Sequence, residues 1–223
     1  MNVALIHDWI IDREPEEDFL EILCELFPEA PVYTLFQRAG KVPEMASREI
    51  RTSLLHRFPG IRFFPSCYAP LFPTAIEHFD LRPFDLVISN SRYLAKGVLT
   101  QPETCHVCLL HPAVLDLWYP SETDARFSLP RFYPFIRNYY RLWDVVSSKR
   151  VDGFITTSDE VERHIRKYYR RQDVRVLDPT VDRPTLKERM LDACVRIFEE
   201  YRQQEKETYP MLRRPEYRIP TLK

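Results

Sequence analysis

Short apolar runs alternate with longer amphipathic ones along most of the chain. Asn2–Ile6 (NVALI), Pro31–Phe36 (PVYTLF), Asp85–Ser89 (DLVIS), Thr104–Leu110 (TCHVCLL), Gly153–Thr157 (GFITT) and Asp173–Leu177 (DVRVL) each read as a buried strand. Between them, Glu16–Phe27 sets Phe19, Leu20, Leu23, Cys24, Leu26 and Phe27 at helical spacing and is stopped by Pro28. Arg131–Arg150 predicts a long aromatic amphipathic helix with Pro134 in its first turn. Ser158–Arg170 predicts a helix capped by Ser158 or Asp159. Residues 66–79 are helical in pattern but carry Pro70 and Pro73, which predicts a kinked or broken helix. Residues 49–58 fit strand or helix equally.

Strands that alternate with helices imply right-handed crossovers and a mainly parallel sheet covered on both faces. Continuous apolar runs are what such a doubly covered sheet requires. The expectation is an α/β fold: a single Rossmann-like doubly wound domain over 1–182, followed by a C-terminal helix and extended tail at 183–223. In that second part, Thr185 and Glu188 have the spacing of a capping box. Leu186, Met190, Cys194, Ile197 and Tyr201 then form a stripe predicting a helix over 186–204 that packs on the domain. Tyr209–Lys223, with Pro210, Pro215 and Pro220, reads as an extended tail.

Composition narrows the chemistry. The 223 residues are 44% hydrophobic and 29% charged, with a formal net charge of -1, which argues against a general polyanion binder and so against nucleic acid as a partner. No apolar run approaches the ~18 residues of a membrane span, and the N-terminus lacks the basic region of a signal peptide. Gly 4 is low and Pro 19 is high, where average usage would give about 16 and about 11. With its few glycines scattered, the sequence has no P-loop and no GxGxxG, and it calls for no cofactor. Five cysteines without a secretory signal favour a reducing cytoplasm. Cys105 and Cys108 have metal or redox spacing but fall in a strand, where residues three apart face opposite ways, and there is no second CxxC. Buried structural thiols and no metal site are expected.

In an open parallel sheet, ligands bind beyond the carboxyl ends of the strands, near the point where strand order reverses. The residues at those ends are His7 and Asp8; Ser89, Asn90, Ser91 and Arg92; His111; and Thr157 and Ser158. Two histidines, a carboxylate and several hydroxyls therefore converge on one rim. Asp8, Ser89, Ser91 and Ser158 are also ordinary caps of strand-to-helix loops, and capping is the simpler role for each. His56, His78, His106 and His164 lie without a convergent partner and read as structural or exposed. The basic-aromatic stretches Arg131–Arg150 and His164–Arg171 offer contact with phospholipid head groups or nucleic acid. The alternative, favoured by the near-neutral charge, is an aromatic core face with a solvated basic face.

Several segments recur together in one known family: His7-Asp8-Trp9, LEILCELFPEAPVYTL at 20–35, AIEHFDLRPFDLVISNS at 75–91, AKGV at 95–98, the strand ending at His111, YRLWDVVSSKRVDGFI at 140–155, and KYY followed by DPTVD at 167–182. This order resembles the N-terminal half of family 4 retaining glycosyltransferases of the GT-B fold. The resemblance implies an acceptor-binding domain for a glycan or a lipid-linked acceptor, at the cytoplasmic side and peripheral to the membrane through 131–150. His111 and His7 would stand near the reacting centre. Asp8 and Asn90 would position the acceptor.

The departures qualify what is implied. The family's glycine-rich loop is replaced by Asp12–Asp18 (DREPEED), whose five carboxylates would repel a donor pyrophosphate. The usual His-Thr-Pro is His111-Pro112-Ala113, Leu115 stands where an arginine is expected, and Arg92 stands where a histidine is frequent. The donor domain expected after Val181-Asp182 is replaced by the helix at 186–204. Sugar transfer from a nucleotide sugar would thus need a donor-domain protein in trans. The alternative is a non-catalytic relative, degenerate or redesigned, acting as a binding or scaffold protein.

Overall fold

The computed structural model describes residues 1–11, 15–38, 48–61, 63–119 and 133–208. The acidic run at 12–14 and the tail at 209–223 lie outside the described residues. Seven strands form one parallel sheet in the order β3-β2-β1-β4-β5-β6-β7. They are β1 Val3–His7, β2 Val32–Thr34, β3 Ile50–Thr52, β4 Leu86–Ser91, β5 Cys105–Leu110, β6 Gly153–Thr156 and β7 Val174–Val176. The helices are α1 Pro15–Leu26, α2 Phe72–Glu77, α3 Val114–Trp118, α4 Tyr133–Ser147, α5 Asp159–His164 and α6 Arg183–Thr208. The ambiguous stretch at 49–58 resolves into edge strand β3 and a 3-10 turn at Leu54–Arg57. The proline-bearing stretch is broken as expected, into a 3-10 segment Pro65–Leu71 and then α2.

The chain runs outward from β1 to β2 and β3, then returns to β4 on the other side of β1 and continues to β7. The topological reversal therefore lies between β1 and β4. Those two strands are paired over their full common length, with Leu5 beside Ile88 and His7 beside Asn90. The central strands β1, β4 and β5 are buried almost throughout, as continuous apolar runs demand.

Strand alternation assigns residues to two cores. On one face, Leu5, Ile88, Cys105, Val107, Leu109 and Ile155 pack with α1 and α6. On the other, Ala4, Ile6 and Val87 pack with α2 and α4, while Cys108, Leu110 and Phe154 pack with α5. Cys105 and Cys108 thus enter different cores. All five cysteines are free, with Cys67 exposed and the rest buried. Burial pushes the thiols of Cys24 and Cys194 up to about 11 and about 12.

Helix α6 packs on the sheet through Leu186, Met190, Ala193, Cys194, Ile197 and Phe198. Each large side chain among them contributes about 1.5–3 kcal/mol on burial. The helix is therefore a layer of the same domain. Its start corrects the capping-box expectation. The cap is Asp182, whose carboxylate accepts from the Thr185 amide and hydroxyl, so Thr185 stands inside the first turn and Pro184 beside it needs no amide partner. Helix α5 starts where the pattern predicts, capped by Ser158. It passes at Ile165–Tyr169 into a π turn that ends on Arg170 in the left-handed conformation.

Candidate functional site

The expected rim residues sort by strand parity into two sets. His7, Asn90 and His111 follow Leu5, Ile88 and Leu109 by two positions each, so all three face the α1 side of the sheet. They are linked. His7 Nδ1 lies 3.1 Å from Asn90 Nδ2 and 3.2 Å from the Asn90 backbone carbonyl, and Asn90 Oδ1 accepts from His111 Nε2–H at 2.5 Å. Phe19 of α1 lies against the His111 ring, with centroids 5.2 Å apart. The triad straddles the reversal between β1 and β4, the place where open parallel sheets bind ligands.

Burial sets the state of this cluster. His7 is 1% exposed and His111 3% exposed. Burial, reinforced by the nearby His7 and the Arg92 charge, holds His111 down to about 3. It is therefore a neutral imidazole at physiological pH, able to donate or accept a hydrogen bond but not to act as a cation.

The second set faces the other way and is occupied structurally. Asp8 accepts three backbone amides, from Tyr93 and Ala95 at 2.7 and 2.6 Å and from Leu94 at 3.1 Å. Ser91 Oγ accepts the Lys96 amide at 3.3 Å. Both close the turn after β4, the capping role that is the simpler reading of Asp8 and Ser91. Ser89 lies within the sheet and donates to His106 Nε2 at 2.9 Å, while His106 Nδ1 donates to the Arg150 carbonyl. Ser89 is therefore not a rim residue, and His106 does have a convergent partner. Burial takes His106 down to about 4. Arg92 is nearly buried, with its guanidinium over the Tyr93 ring.

Thr157 and Ser158 follow β6, the strand next to β5, and the register that sets Leu109 beside Ile155 carries Thr157 toward His111 on the same face. Ser158 caps α5 by accepting the Glu160 and Val161 amides. Ser158 therefore serves the cap and faces away from the triad.

Sequence patterns gave no sign of a second polar cluster. Lys96 Nζ and Asp144 Oδ1 pair at 2.6 Å with both side chains fully enclosed. Asp144 also accepts from Trp118 Nε1 and from the Tyr169 hydroxyl, each at 2.9 Å, and His164 Nε2 stands 3.8 Å away. Burial alone would raise the Asp144 carboxyl, but the Lys96 charge and these donors bring it below its ordinary value. A lone Asp in an amphipathic helix looks solvated, and only the fold brings it against Lys96.

Among the described residues, no group of His, Cys, Asp and Glu is arranged to hold a metal ion. Two grooves of about 380 Å³ lie away from the triad. One is lined by residues of 52–79 and the other by residues near the amino ends of β1 and β4. Neither protein-family models nor curated proteins match this chain. What the geometry defines is the fold class, a doubly wound parallel α/β domain of Rossmann type.

Proposed function

We propose that the chain is the acceptor-side half of a retaining GT-B glycosyltransferase, completed in trans by a protein that brings the nucleotide-sugar site. The observation that carries this reading is the His7–Asn90–His111 triad at the reversal between β1 and β4. In it Asn90 fixes both rings, and the neutral His111 keeps Nδ1 as an acceptor for a sugar or lipid-linked hydroxyl. The acidic sequence at 12–18 disfavours a donor pyrophosphate beside β1, which is why the donor is assigned to a partner.

A second reading, a non-catalytic binding or scaffold protein, is favoured by the closure of the same rim. Both imidazoles are almost fully covered, and Asp8 is committed to backbone amides. Nuclear magnetic resonance of the histidine side chains separates the two. The first reading expects saturable shifts at His7 and His111 with oligosaccharide or polyprenyl phosphate, lost in Asn90→Leu that still melts cooperatively. It also expects no calorimetric heat with UDP- or GDP-sugars for the chain alone. Imidazoles indifferent to every acceptor would leave only the scaffold reading. Saturable nucleotide-sugar binding by the isolated chain would remove the need for a partner.

A further inference from the structure

The sheet ends on β3, which pairs with β2 and with no other strand among the described residues. The Glu49 carbonyl accepts the Val32 amide, and the Ser53 amide donates to the Thr34 carbonyl, so the odd-numbered positions bond inward. Alternation along a parallel strand then turns the N–H and C=O of Ile50 and Thr52 away from β2, toward the outer edge. Such a row of backbone groups is a template for one more strand. Beside its carboxyl end, at Thr52 and Ser53, lies one of the two grooves of about 380 Å³. Leu54, Leu55 and Phe58 line it from the 3-10 turn and its end, and Leu71, His78 and Phe79 line it from around α2. Leu54 is 69% exposed and Leu71 44%, so apolar surface stays open there. Sheets take up extended peptides through this combination: the edge supplies main-chain bonds, and the groove selects alternate side chains.

Charge narrows the kind of peptide. Ile50–Ile76 contains no Asp or Glu. The acids that border it are each paired: Glu49 with Arg51 at 2.7 Å, Glu77 with Arg150 at 2.6 Å and Asp80 with Arg82 at 2.7 Å. Arg57, exposed between the lining residues Leu55 and Phe58, has no ion-pair partner among the described residues. The uncompensated charge beside the groove is therefore positive, which suits a carboxylate on the incoming strand. A second copy of β3 brings the same cation and no free acid, so self-pairing gains nothing from it.

We infer that the outer edge of β3 and the groove beside it form a docking site for an extended acidic-apolar segment of a partner protein, taken up as an eighth strand. This does not rest on the glycosyltransferase reading, because none of its residues belongs to the His7–Asn90–His111 triad.

The test is fluorescence anisotropy of the full chain with fluorescein-labelled peptides, accompanied by sedimentation velocity. The probe is Glu-Val-Thr-Leu-Thr-Val-Glu, which sets apolar side chains at alternate positions. Two controls carry N-methyl groups at every second residue, one in each phase, and a third replaces both Glu by Lys. The wild type should bind the probe saturably, and one N-methyl phase should lose roughly tenfold or more, because it removes the main-chain donors. The Lys peptide should bind about threefold or more weakly. Thr52→Pro deletes an outward N–H at an edge position that tolerates proline, so it should melt as the wild type does and lose roughly tenfold or more of the binding. Arg57→Glu, on the exposed turn, should reverse the preference between the Glu and Lys peptides. No saturation by the wild type up to millimolar probe would overturn the proposal, as would equal binding of both N-methyl phases and the probe. Unchanged binding by Thr52→Pro, or an unchanged preference in Arg57→Glu, would do the same. A dimer that Thr52→Pro dissociates would overturn it too, since a second copy would then own the edge.

Discussion

A Cβ built on Gly153 would stand 2.6 Å from Ile197 Cγ2 and within 3 Å of two more Ile197 carbons. The contact explains why one of four glycines sits at the start of β6. The strand has no special backbone angle there; α6 simply passes too close for a side chain. The neighbour is a buried, β-branched side chain in the core shared by α6 and the sheet, so it cannot swing aside. Gly153→Ala should therefore destabilise the protein by about 1–3 kcal/mol, as overpacking does. Ile197→Ala should cost about 2–5 kcal/mol by leaving a cavity. In the double variant the new methyl occupies part of that cavity, so the two losses should be clearly less than additive in urea denaturation. Additive losses would mean that α6 is held off the sheet in solution.

At the scale of elements, the strands were legible because a doubly covered parallel sheet needs continuous apolar runs, and NVALI, DLVIS and TCHVCLL are such runs. The triad was only half legible. Reading the residues that end each strand collects the right neighbourhood, but it mixes Asp8, Ser89 and Ser91 with His7, Asn90 and His111. The period of two along a strand separates them once each is referred to an apolar neighbour of known face. The start of α6 was misread because Thr185 and Glu188 match a cap pattern that Asp182, three residues earlier, satisfies better. The Lys96–Asp144 pair was not legible at all, since it depends on α4 folding against the turn after β4. That pair also joins elements. Its carboxylate takes donors from α3 and from the turn after α5, so four segments meet on one buried charge. Lys96→Met should destabilise by about 3–5 kcal/mol, because the remaining carboxylate is left buried without its counter-charge. Lys96→Met/Asp144→Leu should recover much of this, as replacing both charges removes the uncompensated one. A single variant as stable as the wild type would mean that water reaches the pair.

For the molecule as a whole, the two buried imidazoles make stability depend on pH in a window where most carboxylates are silent. His106 and His111 are held at about 4 and about 3, against an ordinary value of 6.5, because burial disfavours the charged ring. As pH falls below that ordinary value, the unfolded chain takes up protons at both rings while the folded chain does not. Stability therefore falls with falling pH. Asp152 acts in the opposite sense. Burial lifts its carboxyl from 3.8 to about 6, so below that point the folded chain binds a proton that the unfolded one still lacks. Between about pH 6 and about pH 4.5, two protons oppose one, and the net loss is about 1.4 kcal/mol per pH unit. Glu25 and Asp144, both held below their ordinary values, add losses of the same sign only at lower pH. Urea midpoints measured across that window should trace this slope in the wild type. His111→Gln should flatten it by removing one of the two opposing protons. Asp152→Asn should steepen it to about 2.7 kcal/mol per unit by leaving both imidazoles unopposed. A wild-type profile already flat, with His111→Gln leaving it unchanged, would mean that solvent enters the rim and charges the ring. The triad would then be an open site in solution rather than a closed one.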